Sequence, residues 1–332
     1  MRALAVPAPG QCEVIDVPIP EIQPDEVLVE VVLCATCTQW EITTWRGIDI
    51  FERPGYPEYP LPVGAIGHEL AGTVVKAGDQ VTTLAVGDRV AFWGNPAAPR
   101  QPPIGGYAEY FVAHESSFVR YPAEIPWKRM ALTELLTCLA SALVKAGDLS
   151  GKRVGISGLG PAGLMAVQAV RAQGAAEVIA FDIAPQRIDL AISLGADRGM
   201  VPESPEWDQL LQPANLLDVA IDCIGLARSV NNLIRITRKH LVIFGVPHGE
   251  ILYTMQAWMW DLRIDPAGPR TAEGARYAAE LLTSGAVLVD DFIGELEPLE
   301  RYAEGVQRLI DKQAVKVGFD PKLLPEATPS AG

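Results

Sequence analysis

One stretch of the chain decides the fold, RVGISGLGPAG, which covers residues 153–163. Its first five residues have the apolar, β-branched composition of a buried strand, and a glycine run follows them directly. Helical spacing then continues to Gln173. A glycine-rich turn between a strand and a helix binds the pyrophosphate of a dinucleotide, because the free N–H groups of the helix N-terminus point at the phosphates. We therefore predict a dinucleotide site at this turn.

Each residue of the predicted turn has a separate role. Gly158 permits the tight turn, Gly160 lets the backbone approach the pyrophosphate, and Gly163 lets the helix pack closely on the sheet. Pro161 and Ala162, which lie between the last two glycines, and Gly225, further along the chain, are also predicted to bind the coenzyme.

An acidic residue, Asp182, follows the next predicted strand, where it would accept hydrogen bonds from the adenosine ribose hydroxyls. A carboxylate there repels a 2′-phosphate, so NAD is favoured over NADP. Arg187 lies five residues further on and could contact the adenine face or a 2′-phosphate, which leaves NADP as the less favoured alternative.

Strands and helices alternate around the glycine run, with strands expected at residues 153–157, 178–182, 217–222 and 240–244. This alternation predicts an α/β domain with a doubly wound parallel sheet. Earlier in the chain, strand-like runs punctuated by Gly-Asp turns predict a β-rich domain. We expect domains at 1–123 (catalytic), 124–265 (dinucleotide-binding) and 266–332 (a return to the catalytic domain).

Composition excludes several classes of function. The 332 residues carry a net charge of -14, which disfavours binding to nucleic acid or to an anionic membrane surface. Apolar runs are too short to span a bilayer, and residues 1–4 lead into a strand without a signal-peptide pattern. Five scattered cysteines suit free thiols better than disulfides. We expect a cytoplasmic enzyme for a small, uncharged substrate.

Three residues of the β-rich part suggest a metal site. Cys37, His68 and Glu69 are of the types that bind a catalytic zinc ion, which takes three protein ligands and leaves a fourth position for water or substrate. His68 alone would more often be a structural histidine. The sequence segments around it make a metal ligand the better interpretation of His68.

Those segments are DEVLVEV at 25–31, GHELAGTVV at 67–75, VGDRV at 86–90 and GGYAEY at 105–110. From Met1 to about Pro321 the chain resembles the zinc-dependent alcohol and polyol dehydrogenases of the medium-chain dehydrogenase/reductase superfamily. The resemblance implies a GroES-like β-rich catalytic domain and a Rossmann coenzyme domain. It also implies a homodimer or homotetramer, paired through a strand-like segment at residues 251–262.

The resemblance also implies the zinc ligands. Cys37 takes the place of the first ligand and His68 that of the second. The third is a carboxylate, which matches Glu134, or a cysteine, which matches Cys138; we favour Glu134, because an acid on an apolar helix needs a partner. Glu69 is then an exchangeable fourth ligand.

Two further implications concern the second metal and the coenzyme. Residues 92–107 hold no cysteine, so we expect one catalytic zinc and no structural zinc. Lys316 matches a basic residue that contacts the coenzyme phosphates in this family.

The chain departs from the family where a hydroxyl relay follows the first ligand, because Gln39 and Trp40 stand there. Gln39 can hydrogen-bond an alcohol but cannot relay its proton as a hydroxyl does. Thr38 lies one position away, on the other side of an extended chain, and Glu41 could instead be the base. Residues 43–61, rich in aromatic residues, glycine and proline, are expected to form a long loop that sets the substrate.

The predicted function is oxidation of a secondary alcohol, or of a polyol or sugar-like hydroxyl, by NAD, with Zn2+ lowering the hydroxyl pKa. Two alternatives stay open. One is a zinc-free reductase of the same superfamily acting on an enone or a large planar ketone, and the other is a non-catalytic nucleotide-binding protein.

Overall fold

A computed structural model describes residues 1–325 and divides the chain into two compact units. The first comprises Met1–Leu135 and Val289–Gly332, and the second comprises Leu136–Leu288. Both boundaries lie later in the chain than the predicted ones at 123/124 and 265/266. The short helix Trp127–Ala131 packs on strands of the first unit, which moves the first boundary. The helix Ala272–Ser284 packs on the second unit, since a Cβ atom at Gly274 would lie 2.4 Å from Ser141 Oγ.

The strands of the described residues are β1 (Arg2–Ala8), β2 (Gln11–Asp16), β3 (Glu26–Ala35), β4 (Glu69–Ala77), β5 (Arg89–Phe92), β6 (Tyr110–His114), β7 (Phe118–Tyr121), β8 (Arg153–Ser157), β9 (Glu177–Phe181), β10 (Arg198–Met200), β11 (Leu217–Asp222), β12 (Thr237–Ile243), β13 (Arg263–Pro266) and β14 (Gly318–Phe319). The α-helices are α1 (Thr38–Trp45), α2 (Trp127–Ala131), α3 (Thr133–Ala146), α4 (Pro161–Ala172), α5 (Pro185–Ser193), α6 (Pro205–Leu210), α7 (Ala227–Ile236), α8 (Met255–Met259), α9 (Ala272–Ser284) and α10 (Tyr302–Ile310).

The first unit is built on an antiparallel sheet with the order β14-β3-β4-β5-β7, and β6 also pairs with β3. Valines of β3, among them Val27, Val29 and Val31, enter a core that continues through the aromatic side chains of Tyr107 and Phe319. Antiparallel pairing sets Ala35, the last residue of β3, opposite Glu69, the first residue of β4. The segments just outside these two strand ends therefore lie together.

The second unit contains a parallel sheet with the order β10-β9-β8-β11-β12-β13. Numbered within the unit, this is the order 3-2-1-4-5-6 of the doubly wound dinucleotide-binding fold. The order reverses between β8 and β11, and ligands of such sheets bind beyond the carboxyl ends of the strands at that point. The predicted α/β fold class is confirmed.

The segment at 251–262 was expected to be a strand, and this prediction is wrong. It forms an extended stretch followed by the five-residue helix α8, and the edge of the sheet is taken by β13. The Thr254 hydroxyl accepts a hydrogen bond from the Ala257 N–H, which caps α8 and starts a helix in a sequence of strand-like composition. Of the aromatic segment at 43–61, the first three residues belong to α1 and the remainder is irregular, as expected of a loop. Within the part of the chain that the structure describes, no helix is long and apolar enough to cross a membrane.

Candidate active site

The glycine turn in the second unit has the geometry that a pyrophosphate site requires. Gly158 has a φ of +86°, a conformation that other residues rarely adopt. A Cβ atom at Gly163 would lie 1.8 Å from the Gly158 carbonyl oxygen, so only glycine lets α4 begin this close to β8. Gly160 caps α4 and Pro161 opens it, leaving the N–H groups of the first turn without partners inside the helix.

Asp182 follows β9 and is tied to this turn. Its carboxylate accepts hydrogen bonds from the Leu159 N–H at 2.7 Å and the Ala184 N–H at 2.9 Å. Arg187 donates from Nη1 to the Leu159 carbonyl at 3.2 Å. Both residues that were predicted to decide the coenzyme therefore lie beside the glycine turn.

Asp222 organises the neighbouring turn, and the sequence reasoning missed it. Its carboxylate accepts hydrogen bonds from the Gly225 N–H at 2.6 Å and the Ser229 hydroxyl at 2.6 Å, at the carboxyl end of β11. Gly225 has a φ of +84°, and a Cβ atom there would lie 2.0 Å from the Val246 carbonyl oxygen. An acidic residue ending a buried strand, three positions before a glycine, was the available signal.

The structure brings Cys37, His68 and Glu69 together in the first unit, with one ligand atom of each within 4.8 Å of the others. Cys37 lies two residues beyond β3 as the N-cap of α1, and His68 immediately precedes β4. The antiparallel pairing of β3 with β4 thus positions the thiol, the imidazole and the carboxylate. Thirty-one residues of sequence separate the first two, so the sheet register creates the cluster.

His68 is oriented to use Nε2 as a ligand atom. Its Nδ1 lies 2.7 Å from the Ile66 carbonyl oxygen, which can only accept, so Nδ1 carries the proton and donates it. In the neutral imidazole, Nε2 is then the nitrogen that carries the lone pair. A backbone carbonyl in this role is a common second contact of metal-binding histidines.

One of the two carboxylate oxygens of Glu69 is bound by a lysine. Lys316 Nζ donates to Glu69 Oε2 at 2.5 Å and to the Thr36 carbonyl at 2.6 Å, and both side chains are buried. Glu69 Oε1 is also buried but has no hydrogen-bond partner among residues 1–325. A buried carboxylate oxygen without a partner is costly unless a ligand satisfies it.

Lys316 was expected to contact the coenzyme phosphates, and the structure places it otherwise. Its side chain is 1% exposed, and its charge is engaged by Glu69. The residue therefore positions a member of the cluster, and its predicted phosphate contact is not what the structure shows.

The electrostatic surroundings of the cluster favour a cation. Burial raises the pKa of the Cys37 thiol, and the nearby carboxylates of Glu69 and Glu41 raise it further, while Lys316 opposes them. A thiol and carboxylates in one buried space repel each other when ionised, and a divalent cation removes that repulsion. The donor set of one sulfur, one imidazole nitrogen and carboxylate oxygen fits zinc.

Glu134, the second residue of α3, also lies near the cluster. Its Oε2 lies 3.9 Å from His68 Nε2, and the residue is buried. The sequence ranked Glu134 above Glu69 as a ligand, whereas the structure places Glu69 in the tight group with Cys37 and His68. Cys138 lies one turn after Glu134, in the part of α3 that belongs to the second unit.

Helix α1 carries Gln39 and Glu41, the two residues that the sequence suggested as a hydrogen-bond partner and a base for the substrate. Gln39 is exposed, and its side-chain amide makes no hydrogen bond with residues 1–325. Glu41 points into the core, where it accepts a hydrogen bond from the Tyr107 hydroxyl. Burial raises the pKa of the Glu41 carboxyl to about 7, although this hydrogen bond lowers it. Tyr107 was missed as a partner because 66 residues separate the two.

Comparison with known proteins agrees with the fold. Residues 23–123 match the alcohol dehydrogenase GroES-like domain, and residues 161–280 match the zinc-binding dehydrogenase domain. Sorbitol dehydrogenase of Ovis aries is 30% identical over 99% of this chain and 97% of its own. L-idonate 5-dehydrogenase (NAD(P)(+)) of Escherichia coli is 37% identical over 44% of this chain and 42% of its own.

A solved structure extends this comparison. The crystal structure of a zinc-binding dehydrogenase from Sinorhizobium meliloti, bound to NADP, covers 96% of this chain and 99% of its own, with a TM-score of 0.84 and 26% identity.

The chain therefore belongs to the zinc-dependent alcohol and polyol dehydrogenases of the medium-chain dehydrogenase/reductase superfamily. It is an alcohol dehydrogenase-like oxidoreductase that uses zinc, a nicotinamide coenzyme and a small alcohol substrate.

Proposed function

We propose that this enzyme oxidises a secondary hydroxyl of a polyol or sugar-like alcohol with NAD, at a single zinc held by Cys37, His68 and Glu69, with Glu134 beside them. The observation that carries the proposal is the convergence of one ligand atom from each of these three residues to within 4.8 Å, together with the buried Glu69 Oε1, which has no hydrogen-bond partner among residues 1–325. The substrate class follows from the sorbitol and L-idonate dehydrogenases that the chain resembles.

The metal ligands, Gln39 and the glycine turn each have a separate role in the proposed reaction. Zinc, when bound, supplies a Lewis acid that lowers the pKa of the substrate hydroxyl. The exposed Gln39 amide lies on α1, two residues from Cys37, and hydrogen-bonds a hydroxyl of the substrate. The glycine turn and the first turn of α4 bind the coenzyme pyrophosphate, which orients the nicotinamide for hydride transfer.

NAD is the proposed coenzyme because of Asp182. Its carboxylate is fixed beside Leu159, where it meets the adenosine ribose in this fold and repels a 2′-phosphate. Arg187 already donates to the Leu159 carbonyl, which supports a role in the turn over one in binding a phosphate.

We also propose that two copies associate through the second unit. Apolar side chains are exposed in and around α8, among them Met255 at 77% and Trp258 at 72%. An apolar surface of this kind marks an interaction site. Size measurement of the wild type and of Trp258→Asp tests the assignment, with a smaller assembly expected for the variant.

None of the five cysteines, all of which lie in the described part of the chain, forms a disulfide, which supports the proposed residence in the reducing cytoplasm.

Metal analysis combined with NAD-coupled assays of alcohols and polyols tests the proposed function. Wild-type protein should contain one zinc per chain and reduce NAD with a polyol. Cys37→Ser should lose both properties, whereas Cys12→Ser, which changes a thiol in β2, should keep them. Zinc-free protein that still reduces an enone with NADPH would instead support the zinc-free reductase. Coenzyme binding without turnover of any alcohol or ketone would support the non-catalytic protein.

A further inference from the structure

The metal cluster adjoins a set of aromatic side chains in the first unit. Trp40 lies in α1, and its ring centroid is 5.1 Å from that of His68. Trp40 also packs against Phe51 in an edge-to-face arrangement, with centroids 5.8 Å apart and planes at 88°. We call Trp40 and Phe51 the aromatic wall.

Phe51 remains strongly exposed for an aromatic residue, at 49%. Its loop is nevertheless held in place by a salt bridge. Arg53 donates to the Asp49 carboxylate through Nε and Nη2, both at 2.9 Å, and through its backbone N–H at 2.8 Å. The Asp49 side chain is 4% exposed, so this pairing anchors the loop.

The guanidinium of Arg53 also fixes the rings around it. Its Cζ lies 5.4 Å from the Phe51 ring centroid and 4.5 Å from that of Tyr56. Stacking on Arg53 limits the positions of both rings. Arg53 therefore restrains Phe51, about half of which stays exposed to solvent, and Trp40 beside it is partly exposed.

A supported apolar surface next to a metal ligand indicates what its occupant must be. An alcohol whose hydroxyl reaches the Cys37–His68–Glu69 cluster has Trp40 as an immediate neighbour, because the indole lies against His68. Aromatic rings gain by removing apolar surface from water and gain nothing comparable from hydroxyl groups. The part of the substrate that contacts the wall must therefore present C–H bonds.

Ring and open-chain polyols differ in this respect. A six-membered ring directs its equatorial hydroxyls to the rim and leaves C–H bonds on its faces, whereas an open-chain alditol has hydroxyls along both sides. The rim hydroxyls of a ring remain available to polar groups such as the exposed Gln39 amide. The aromatic wall and Gln39 together match a ring with an apolar face and a polar rim.

Resting on the proposed polyol dehydrogenase function, we propose that the aromatic wall of Trp40 and Phe51 selects ring-shaped polyols or sugars over open-chain alditols. Trp40 contacts a face of the ring beside the carbon that is oxidised, and Phe51 extends that contact. Arg53 and Asp49 are positioning residues, because they act through Phe51.

Steady-state kinetics with myo-inositol as the ring probe and galactitol as the open-chain probe tests this selection in the zinc-loaded enzyme. We expect the wild type to have a higher kcat/KM for myo-inositol. Trp40→Ala should lower that value by about tenfold or more, equivalent to about 1.4 kcal/mol, and change the value for galactitol much less. Trp40→Phe should recover part of the loss because it restores a ring.

Trp45→Phe is the matched control, since this tryptophan lies in the same helix but packs on Tyr302 in the core. It should leave the ratio of the two kcat/KM values unchanged. Arg53→Gln should lower the ratio through KM, with little effect on kcat.

Three outcomes would overturn the proposal. The first is a wild type that turns over galactitol as well as or better than myo-inositol. The second is a Trp40→Ala variant that lowers both kcat/KM values equally. The third is a Trp40→Ala variant in which only the KM for NAD rises, because this result would mean that the aromatic wall contacts the coenzyme and not the substrate. Failure of both probes together with every other alcohol and polyol would instead contradict the proposed function itself.

Discussion

Lys316 Nζ and Glu69 Oε2 lie 2.5 Å apart, although 247 residues separate them in the chain, and both side chains are buried. The ammonium group holds one oxygen of Glu69 and leaves the other oxygen for a ligand. Lys316, which lies just before β14, thereby positions a residue of the proposed metal site, whose other residues flank the ends of β3 and β4.

Lys316→Met should destabilise the protein, because it leaves a buried carboxylate without its partner. We expect a loss of about 3–5 kcal/mol in the free energy of unfolding, measured by urea denaturation of zinc-free protein. The double variant Lys316→Met with Glu69→Gln should regain much of this loss. Lys322→Met removes an exposed pair with Glu30 and should cost less than about 1 kcal/mol. Equal losses for the two lysine variants would contradict the role of the buried pair.

Glu134→Gln should weaken zinc binding, because the carboxylate lies 3.9 Å from the ligand nitrogen of His68. We expect a decrease of about 10–100-fold in zinc affinity, measured by competition with a chelator. Cys138→Ser, one helical turn later, is the matched control and should bind zinc like the wild type. A stronger effect of Cys138→Ser would make the cysteine the third ligand, which was the alternative that the sequence left open.

Asp182→Asn should shift the coenzyme preference toward NADP. Loss of the charge removes repulsion of a 2′-phosphate, while the amide oxygen can still accept from the Leu159 N–H. We expect the ratio of kcat/KM for NAD to that for NADP to fall by about tenfold, or about 1.4 kcal/mol. An unchanged ratio would show that Asp182 does not meet the ribose.

Glu41 should make stability depend on pH near neutrality. Burial raises the pKa of its carboxyl from 4.5 to about 7, so the folded protein holds this proton more tightly than the unfolded chain. The resulting contribution to the free energy of unfolding is roughly 3 kcal/mol. It is fully present below about pH 4.5 and is lost as the pH rises through about 7. Glu41→Gln should remove this dependence.

Unfolding of zinc-free wild type and Glu41→Gln by urea, at pH 5 and pH 8, measures the effect of Glu41. Between pH 5 and pH 8, the free energy of unfolding of the wild type should fall by more than that of Glu41→Gln. A wild type whose stability changes no more than that of the variant would contradict the raised pKa.

The fold could be predicted well because its signals are local. The strands at 153–157 and 217–222 have the predicted bounds, and the glycine turn follows β8 as expected. The prediction was wrong at 251–262, where one hydrogen bond from the Ala257 N–H to the Thr254 hydroxyl outweighs strand-like composition. The two compact units divide later in the chain than the predicted domain boundaries, because α2 and α9 belong to a unit through packing, which composition does not reveal.

The candidate site could be predicted only in part. Cys37, His68 and Glu69 were found through short motifs, and the sheet register then brings them together. The pairing of Glu69 with Lys316 depends on tertiary structure across almost the whole chain. The contact of Trp40 with His68 was not predicted either, since it depends on the angle at which α1 leaves β3.

The most direct test of the metal site is a crystal structure with anomalous diffraction measured at the zinc absorption edge. The account predicts one strong peak in the first unit, about 2.3 Å from Cys37 Sγ and about 2.0–2.1 Å from His68 Nε2, with a carboxylate oxygen of Glu69 or Glu134 as a further ligand. Zinc-loaded protein whose anomalous peak lies away from Cys37 and His68 would contradict it.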